Sequence, residues 1–287
     1  MTQNIYDDPT FFTAYSNLPR SISGLSCAPE WPILESLLPS VSNLRVLDLG
    51  CGYGYFTRWA ASQGARSVLG LDVSERMLAR AQEQNAISGA TSEETNRIQY
   101  RREDLETLQL ASGSFDLAFS SLTFHYVKDL ARLFATVHAA LVPGSRMVFS
   151  IEHPVFMAPK VPGWITNANG KKVWGVDSYM VEGDRVTNWL SDGVVKQHRT
   201  IGTLLNTLIE AGFRIVFVRD FGPEEALVEA GMTTAEERER PMFFLAHTPA
   251  GFETVNSRLR TVVLAAYGAA LKMTGAVVVE GIMNIQQ

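Results

Sequence analysis

The stretch Val46-Leu47-Asp48-Leu49-Gly50-Cys51-Gly52-Tyr53-Gly54 restricts the possible folds more than any other part of the chain. An apolar run with one acid near its end has the pattern of a parallel strand buried on both faces. Three glycines at alternate positions, Gly50, Gly52 and Gly54, then predict a tight turn where bare backbone can approach a ligand. Tyr55-Phe56-Thr57-Arg58-Trp59-Ala60 follows as the first turns of a helix. Strand, glycine turn and helix make half of a βαβ unit, whose ligand lies at the carboxyl end of the strand.

The glycine spacing separates two kinds of ligand. A dinucleotide site needs G-x-G-x-x-G with a helix N-terminus aimed at a pyrophosphate, whereas here Asp48 precedes Gly-x-Gly-x-Gly. A carboxylate at that position repels a pyrophosphate and suits a cation, which disfavours a nicotinamide oxidoreductase. The next strand, Ser67-Val68-Leu69-Gly70-Leu71-Asp72, ends in a second acid, placed where such folds hydrogen-bond the two hydroxyls of a ribose. On these residues the chain resembles the class I S-adenosylmethionine-dependent methyltransferases. It is most similar to the small-molecule branch that includes the ubiquinone/menaquinone-biosynthesis and malonyl-carrier-protein enzymes.

The resemblance implies an α/β fold: a Rossmann-like seven-stranded sheet with helices on both faces, mostly parallel with an antiparallel last strand. It implies S-adenosyl-L-methionine as cofactor and S-adenosyl-L-homocysteine as product. It covers residues 5–248 and assigns ribose binding to Asp72, adenine binding to Val73, Met77, Asp104 and Leu105, and the methionine end to Asp48, Gly50 and Gly52. Gly54 completes the turn, and Ser120 lies at the end of the fourth core strand, which faces methyl donor and acceptor in this family. Residues 5–40, dense in aromatics, are expected to form a helical lid from which Tyr15 and Arg20 reach the methionine carboxylate.

Other strands are expected at 98–101, 114–121, 146–151, 213–218 and 242–246, a surface loop at 85–97, and helices around 130–141 and 203–211. Two histidines near strand ends are candidate general bases, since imidazole titrates near neutrality: His125 after the fourth strand and His153 after the fifth. His153 follows Glu152, but neighbours on an extended chain point to opposite faces and need not touch. The insertion 154–200 contains strand-like alternation about a Glu182-Gly183-Asp184 turn, and Trp164, Trp174, Tyr179, Trp189 and His198 are expected to wall an acceptor pocket. Five histidines without paired helical spacing or a cysteine cluster predict no metal site.

A domain over 1–249 is expected to carry the site, with 250–287 an extension that is helical or poorly ordered. The net charge of -5 gives no general attraction for nucleic acid. Lys272 interrupts the apolar C-terminal run, which argues against a membrane span there. Two cysteines and no leader pattern suit reduced thiols in the cytoplasm, and a homodimer is open. The partner expected is a small-molecule acceptor methylated on oxygen, nitrogen or carbon. The alternatives are a pericyclase or cyclase on the methyltransferase fold, or a non-catalytic module that binds the cofactor.

Overall fold

The computed structural model describes residues 3–251 except residues 88, 90 and 230–232. Short helices α1 (Pro9–Ser16), α2 (Pro19–Ser23) and α3 (Trp31–Leu37) precede β1 (Arg45–Leu49), α4 (Tyr55–Ser62), β2 (Ser67–Asp72), α5 (Glu75–Ile87), α6 (Ser92–Asn96), β3 (Ile98–Arg102) and β4 (Phe115–Ser121). Then come α7 (Leu130–Ala140), β5 (Leu141–Glu152), α8 (Pro154–Met157), β6 (Trp164–Thr166), β7 (Lys172–Trp174), β8 (Gly183–Trp189) and β9 (Ser191–His198). The series closes with α9 (Ile201–Glu210), β10 (Phe217–Phe221), α10 (Glu225–Glu229) and β11 (Phe243–Pro249).

One seven-stranded sheet runs β10-β11-β5-β4-β1-β2-β3. β3, β2, β1, β4 and β5 are parallel to one another, and β11, the last of the described strands, is antiparallel to both neighbours. The sheet therefore has the strand number and polarity that the resemblance implies. Alternation along β1 sends Leu47 and Leu49 into one core with Phe134, Phe149 and Leu204. Val46 faces the opposite core with Trp31, Phe56 and Phe119. α7 buries Leu130, Leu133, Phe134 and Val137, the stripe that helical spacing produces, and its N-terminus is capped by the Asp129 side chain accepting from Arg132 N.

Three local readings of the sequence are corrected. The expected loop at 85–97 instead contains the end of α5 and α6, which is started by a capping box between Thr91 and Glu94. Residues 213–216 follow β11 only irregularly, through a bridge from Phe213 to Ala250 and bonds from Arg214 N and Val216 N, so the regular strand begins at Phe217. Gly183 and Asp184 lie within β8, opposite His198 and Gln197, and the hairpin turns instead at Leu190, whose φ is 61°. The C-terminal extension, from residue 252 onward, lies outside the described residues.

Asp7 and Gln3 are among the residues that tie the N-terminal segment to the body. Asp7 accepts hydrogen bonds from Ser74 Oγ at 2.5 Å and from Arg76 N at 3.1 Å, capping the start of α5 from outside that helix. Gln3 donates to Gly193 O and accepts from Val195 N, both at 2.8 Å, so its amide pairs with the backbone of β9.

Candidate active site

A cavity of about 350 Å³ opens at the carboxyl ends of β1, β2, β4 and β5, beneath the N-terminal segment. Its floor on one side is the glycine bend. Gly50 and Gly52 have φ of 74° and 52°, and a Cβ placed on Gly52 would meet nothing within 4 Å, so the backbone there faces open space. Asp72, the last residue of β2, accepts from Gly52 N and from Ser74 N, each at 2.9 Å, which fixes its carboxylate against the bend. Burial raises the Asp72 carboxyl to about 6 despite these bonds.

Val73, Met77, Asp104 and Leu105 line the same side of the cavity, and one Asp104 oxygen accepts from Glu106 N at 3.0 Å. Tyr15 and Arg20 also reach it, from the N-terminal helices. Arg20 is already paired with the buried Glu30 at 2.5 Å and reaches Ser121 Oγ at 3.4 Å. An adjoining cavity of about 100 Å³ shares Tyr15, Arg20, Gly50, Gly52 and Ser121, and has Asp48 and Glu30 in its wall. Asp48 is 2% exposed and accepts from Thr57 Oγ1 at 2.6 Å, with burial pushing its carboxyl up to about 7.

Not all the residues singled out from the sequence reach either space. Ser120 is fully buried and its hydroxyl donates to Leu49 O, while the adjacent Ser121 takes the place at the cavity. Gly54 starts α4 with its open face filled by the Tyr100 hydroxyl. His153 stands outside the cavity: its Nδ1 accepts from Val155 N at 3.0 Å and caps α8, and its Nε2 lies 2.9 Å from Asp220 Oδ1.

The opposite end of the cavity is walled by Tyr6, His125, Tyr126, Glu152, Phe156 and Trp189. Of the five insertion residues named from the sequence, only Trp189 lines it. Trp164 and Trp174 enclose the Arg240 guanidinium together with Phe156, at 5.2, 4.2 and 4.5 Å from the ring centroids. The Tyr179 hydroxyl accepts from Ile201 N at the start of α9, and the Tyr179 carbonyl meets His198 Nε2 at 2.8 Å. Tyr6 packs edge-on against Phe11 and Tyr15, and its hydroxyl lies 3.2 Å from that of Tyr126.

His125 is 2% exposed, and burial lowers it to about 4, so the ring is neutral near pH 7. Its Nδ1 faces Glu152 N at 3.4 Å and its Nε2 lies 3.9 Å from Glu152 Oε1. That network assigns the proton to Nε2. Glu152 is salt-bridged through Oε1 to Lys196 Nζ at 2.6 Å. Burial works to raise the Glu152 carboxyl, but cationic neighbours, His125 once acid protonates it and the Lys196 ammonium throughout, hold it below the ordinary carboxylate range. Sequence reasoning named Glu152 only as a neighbour of His153 and did not name Lys196. The signal was present in the alternation of β9, where Val194, Lys196 and His198 share the buried face.

Among the described residues no three His, Cys, Asp or Glu side chains gather as a metal site, and no helix is long and apolar enough to cross a membrane. The profile of the Methyltransferase domain family matches residues 47–149, from β1 to β5. A crystal structure of an S-adenosylmethionine-dependent methyltransferase from Mesorhizobium loti is 53% identical, covers 79% of this chain and all of that one, and superposes with a TM-score of 0.72. A provisional S-adenosylmethionine-dependent methyltransferase from Listeria monocytogenes is 34% identical over 79% of this chain and 99% of its own, with a TM-score of 0.70. The malonyl-[acyl-carrier protein] O-methyltransferase of Pectobacterium atrosepticum is 35% identical over 41% of this chain and 42% of that protein, so the match spans less than half of either.

Proposed function

The chain belongs to the class I S-adenosylmethionine-dependent methyltransferases, and from that premise we propose that it methylates an oxygen, nitrogen or carbon of a small-molecule acceptor held at the aromatic end of the cavity. Membership in the family makes S-adenosylmethionine the methyl donor and S-adenosylhomocysteine the product. The observation that carries the proposal is the continuity of one cavity from the open face of Gly52 and the Asp72 carboxylate to the aromatic wall of Tyr126, Phe156 and Trp189.

The residues fit the cofactor. Asp72 would accept from the ribose hydroxyls, with Val73, Met77, Asp104 and Leu105 around the adenine and the backbone of Gly50 and Gly52 beside the methionine end. Asp48 and Glu30, both buried in the wall of the adjoining space, offer negative charge to an ammonium, and Arg20 offers a guanidinium to a carboxylate. When bound, the sulfonium supplies an electrophilic methyl group. The chain's own work is to align the acceptor and exclude water. Tyr6 and Tyr15 of the N-terminal segment, the proposed lid, supply the exclusion from above. A cytoplasmic location is part of the same reading, supported by the two free thiols Cys27 and Cys51.

The test is incubation with methyl-labelled cofactor and a metabolite extract. Label recovered in one compound with equimolar S-adenosylhomocysteine supports methyl transfer. A transformed compound without label, the cofactor staying intact, would indicate a cyclase.

A further inference from the structure

One side of the acceptor end carries a charge arrangement that cofactor binding does not use. Glu152, at the end of β5, gives Oε1 to Lys196, while its second oxygen, Oε2, is buried with no hydrogen-bond partner. The Lys196 side chain is 4% exposed, and its ammonium lies 4.9 Å from the centroid of the Trp189 ring and 5.9 Å from that of Tyr126. The lysine is thus spent on Glu152 and on two ring faces. An ionised oxygen buried without a donor is costly, and a ligand that donates to Oε2 removes the cost.

The neighbouring histidine does not compete for the proton of such a ligand, because its Nδ1 faces Glu152 N and its Nε2 carries a hydrogen. The charges then decide what kind of ligand fits. A cation approaching Oε2 would meet the Lys196 ammonium behind it, and an anion would meet Oε2 itself, so the balanced pair favours an uncharged donor. Phe156 and Trp189 give that donor flat walls.

Resting on the methyl-transfer reading above, we propose that Glu152 Oε2 binds the O–H or N–H of an uncharged, planar acceptor such as a phenol, an enol or a heteroaryl N–H, and takes its proton. The acceptor atom forms its new bond to the methyl carbon with a lone pair as the bond from that carbon to the donor sulfur breaks, its electron pair staying on sulfur. The acceptor atom's bond to hydrogen breaks, that pair stays on the atom, and the proton forms an O–H bond at Oε2. Glu152 goes from an anion to a neutral acid while the donor sulfur loses its positive charge, so the total charge is unchanged. A carboxylate of low proton affinity suffices, because an oxygen or heteroaryl nitrogen that has gained a methyl group before losing its proton is strongly acidic.

Three probes with one planar body separate the cases: 2-naphthol is neutral, 2-naphthoate an anion and 2-naphthylmethylammonium a cation. Each is titrated into the full chain saturated with S-adenosylhomocysteine, whose own binding is measured first. The expected result is 2-naphthol binding about ten-fold tighter than either ion, the scale of a hydrogen bond to a charged group. The double variant Glu152→Gln, Lys196→Met removes both charges, leaves none unpaired, and should flatten that preference while S-adenosylhomocysteine binds as before. Tighter binding of either ion, an unchanged preference in the double variant, or no probe binding to a protein that holds S-adenosylhomocysteine would each overturn the proposal. The wild-type ordering alone does so if the variant does not accumulate. Failure of S-adenosylhomocysteine to bind would overturn the cofactor reading, and this proposal with it.

Discussion

The two ends of the cavity are built by different means. The proposed cofactor end is centred on one short stretch of sequence: Gly50, Gly52, Asp72, Val73 and Met77 fall within 28 consecutive residues, on β1, β2 and the segments that follow them, with Arg20, Asp104 and Leu105 added from outside it. The acceptor end is side chains from distant segments: Tyr6 precedes the sheet, His125 follows β4, Glu152 ends β5, and Trp189 and Lys196 lie on a hairpin. A site built around one strand, bend and following strand depends on the glycines and on the parallel sheet. A site of converging side chains depends on tertiary packing, and there stability and specificity rest on the same groups. Damage at the two ends should therefore differ in kind: lost ligand affinity at the first, lost stability and acceptor choice at the second.

The largest effect expected is at the acceptor end. Lys196→Met leaves the Glu152 carboxylate buried without its counter-ion, and breaking such a pair costs about 3–5 kcal/mol. Urea unfolding would show this, with S-adenosylmethionine affinity in calorimetry near that of the wild type. The pH dependence has a definite sign. Because the folded-state Glu152 is held below its ordinary value, its contribution is complete above the carboxylate range and is lost as pH falls through the lowered value. The gap between variant and wild type should narrow in acid. Equal loss of cofactor affinity would mean that the two ends are not separable.

Asp72→Ala reverses the pattern. Two hydrogen bonds to a charged group at about 1.5–3 kcal/mol each predict an affinity loss of about 100-fold or more. The same residue gives the cofactor end its own pH signature. Its folded-state value is raised to about 6, so without ligand its contribution to stability is present in acid and lost as pH rises through about 6. On the proposed placing of the ribose hydroxyls at Asp72, cofactor binding would need the ionised form and would run the other way. The rise in melting temperature on adding S-adenosylmethionine should shrink as pH falls below about 6, and Asp72→Asn should remove the part centred there, leaving the part due to Asp48, whose carboxyl is pushed up to about 7. Gly52→Ala comes next, at about 1–2 kcal/mol for a Cβ at φ 52°, with further loss of affinity because that Cβ would stand in the cavity.

What could be read from the sequence follows the same division. The strand, bend and helix around Gly50 carry their own geometry, and the alternation and helical stripes of β1 to β5 were visible because each element's period is local. The acceptor end has no such record. Glu152 and His153 are adjacent, yet extended backbone sends the first into the cavity and the second to Asp220, and only the fold says which is which. Lys196 looks like an ordinary surface charge until the β8–β9 hairpin lays it over the end of β5. Trp164 and Trp174 have the composition of a ligand wall but are occupied by Arg240, which lies 66 residues beyond Trp174 in the chain.

His153→Ala should have the smallest effect, and it sharpens the division most cheaply. The ring sits at a strand end beside a carboxylate, as a catalytic histidine would, but Nδ1 accepts from Val155 N and Nε2 meets Asp220. With Nδ1 used as an acceptor, Nε2 carries the hydrogen and has no lone pair free for an acceptor's proton. Losing the ring removes a helix cap, at about 1 kcal/mol. Burial lowers the imidazole below its usual value against the pull of Asp220, so the neutral ring is the form that caps α8 near neutral pH. Unfolding should shift slightly, while cofactor affinity and methyl-transfer rate stay at wild-type levels. A fall in rate without loss of stability would give His153 a part in the chemistry and move the boundary of the acceptor end beyond Glu152.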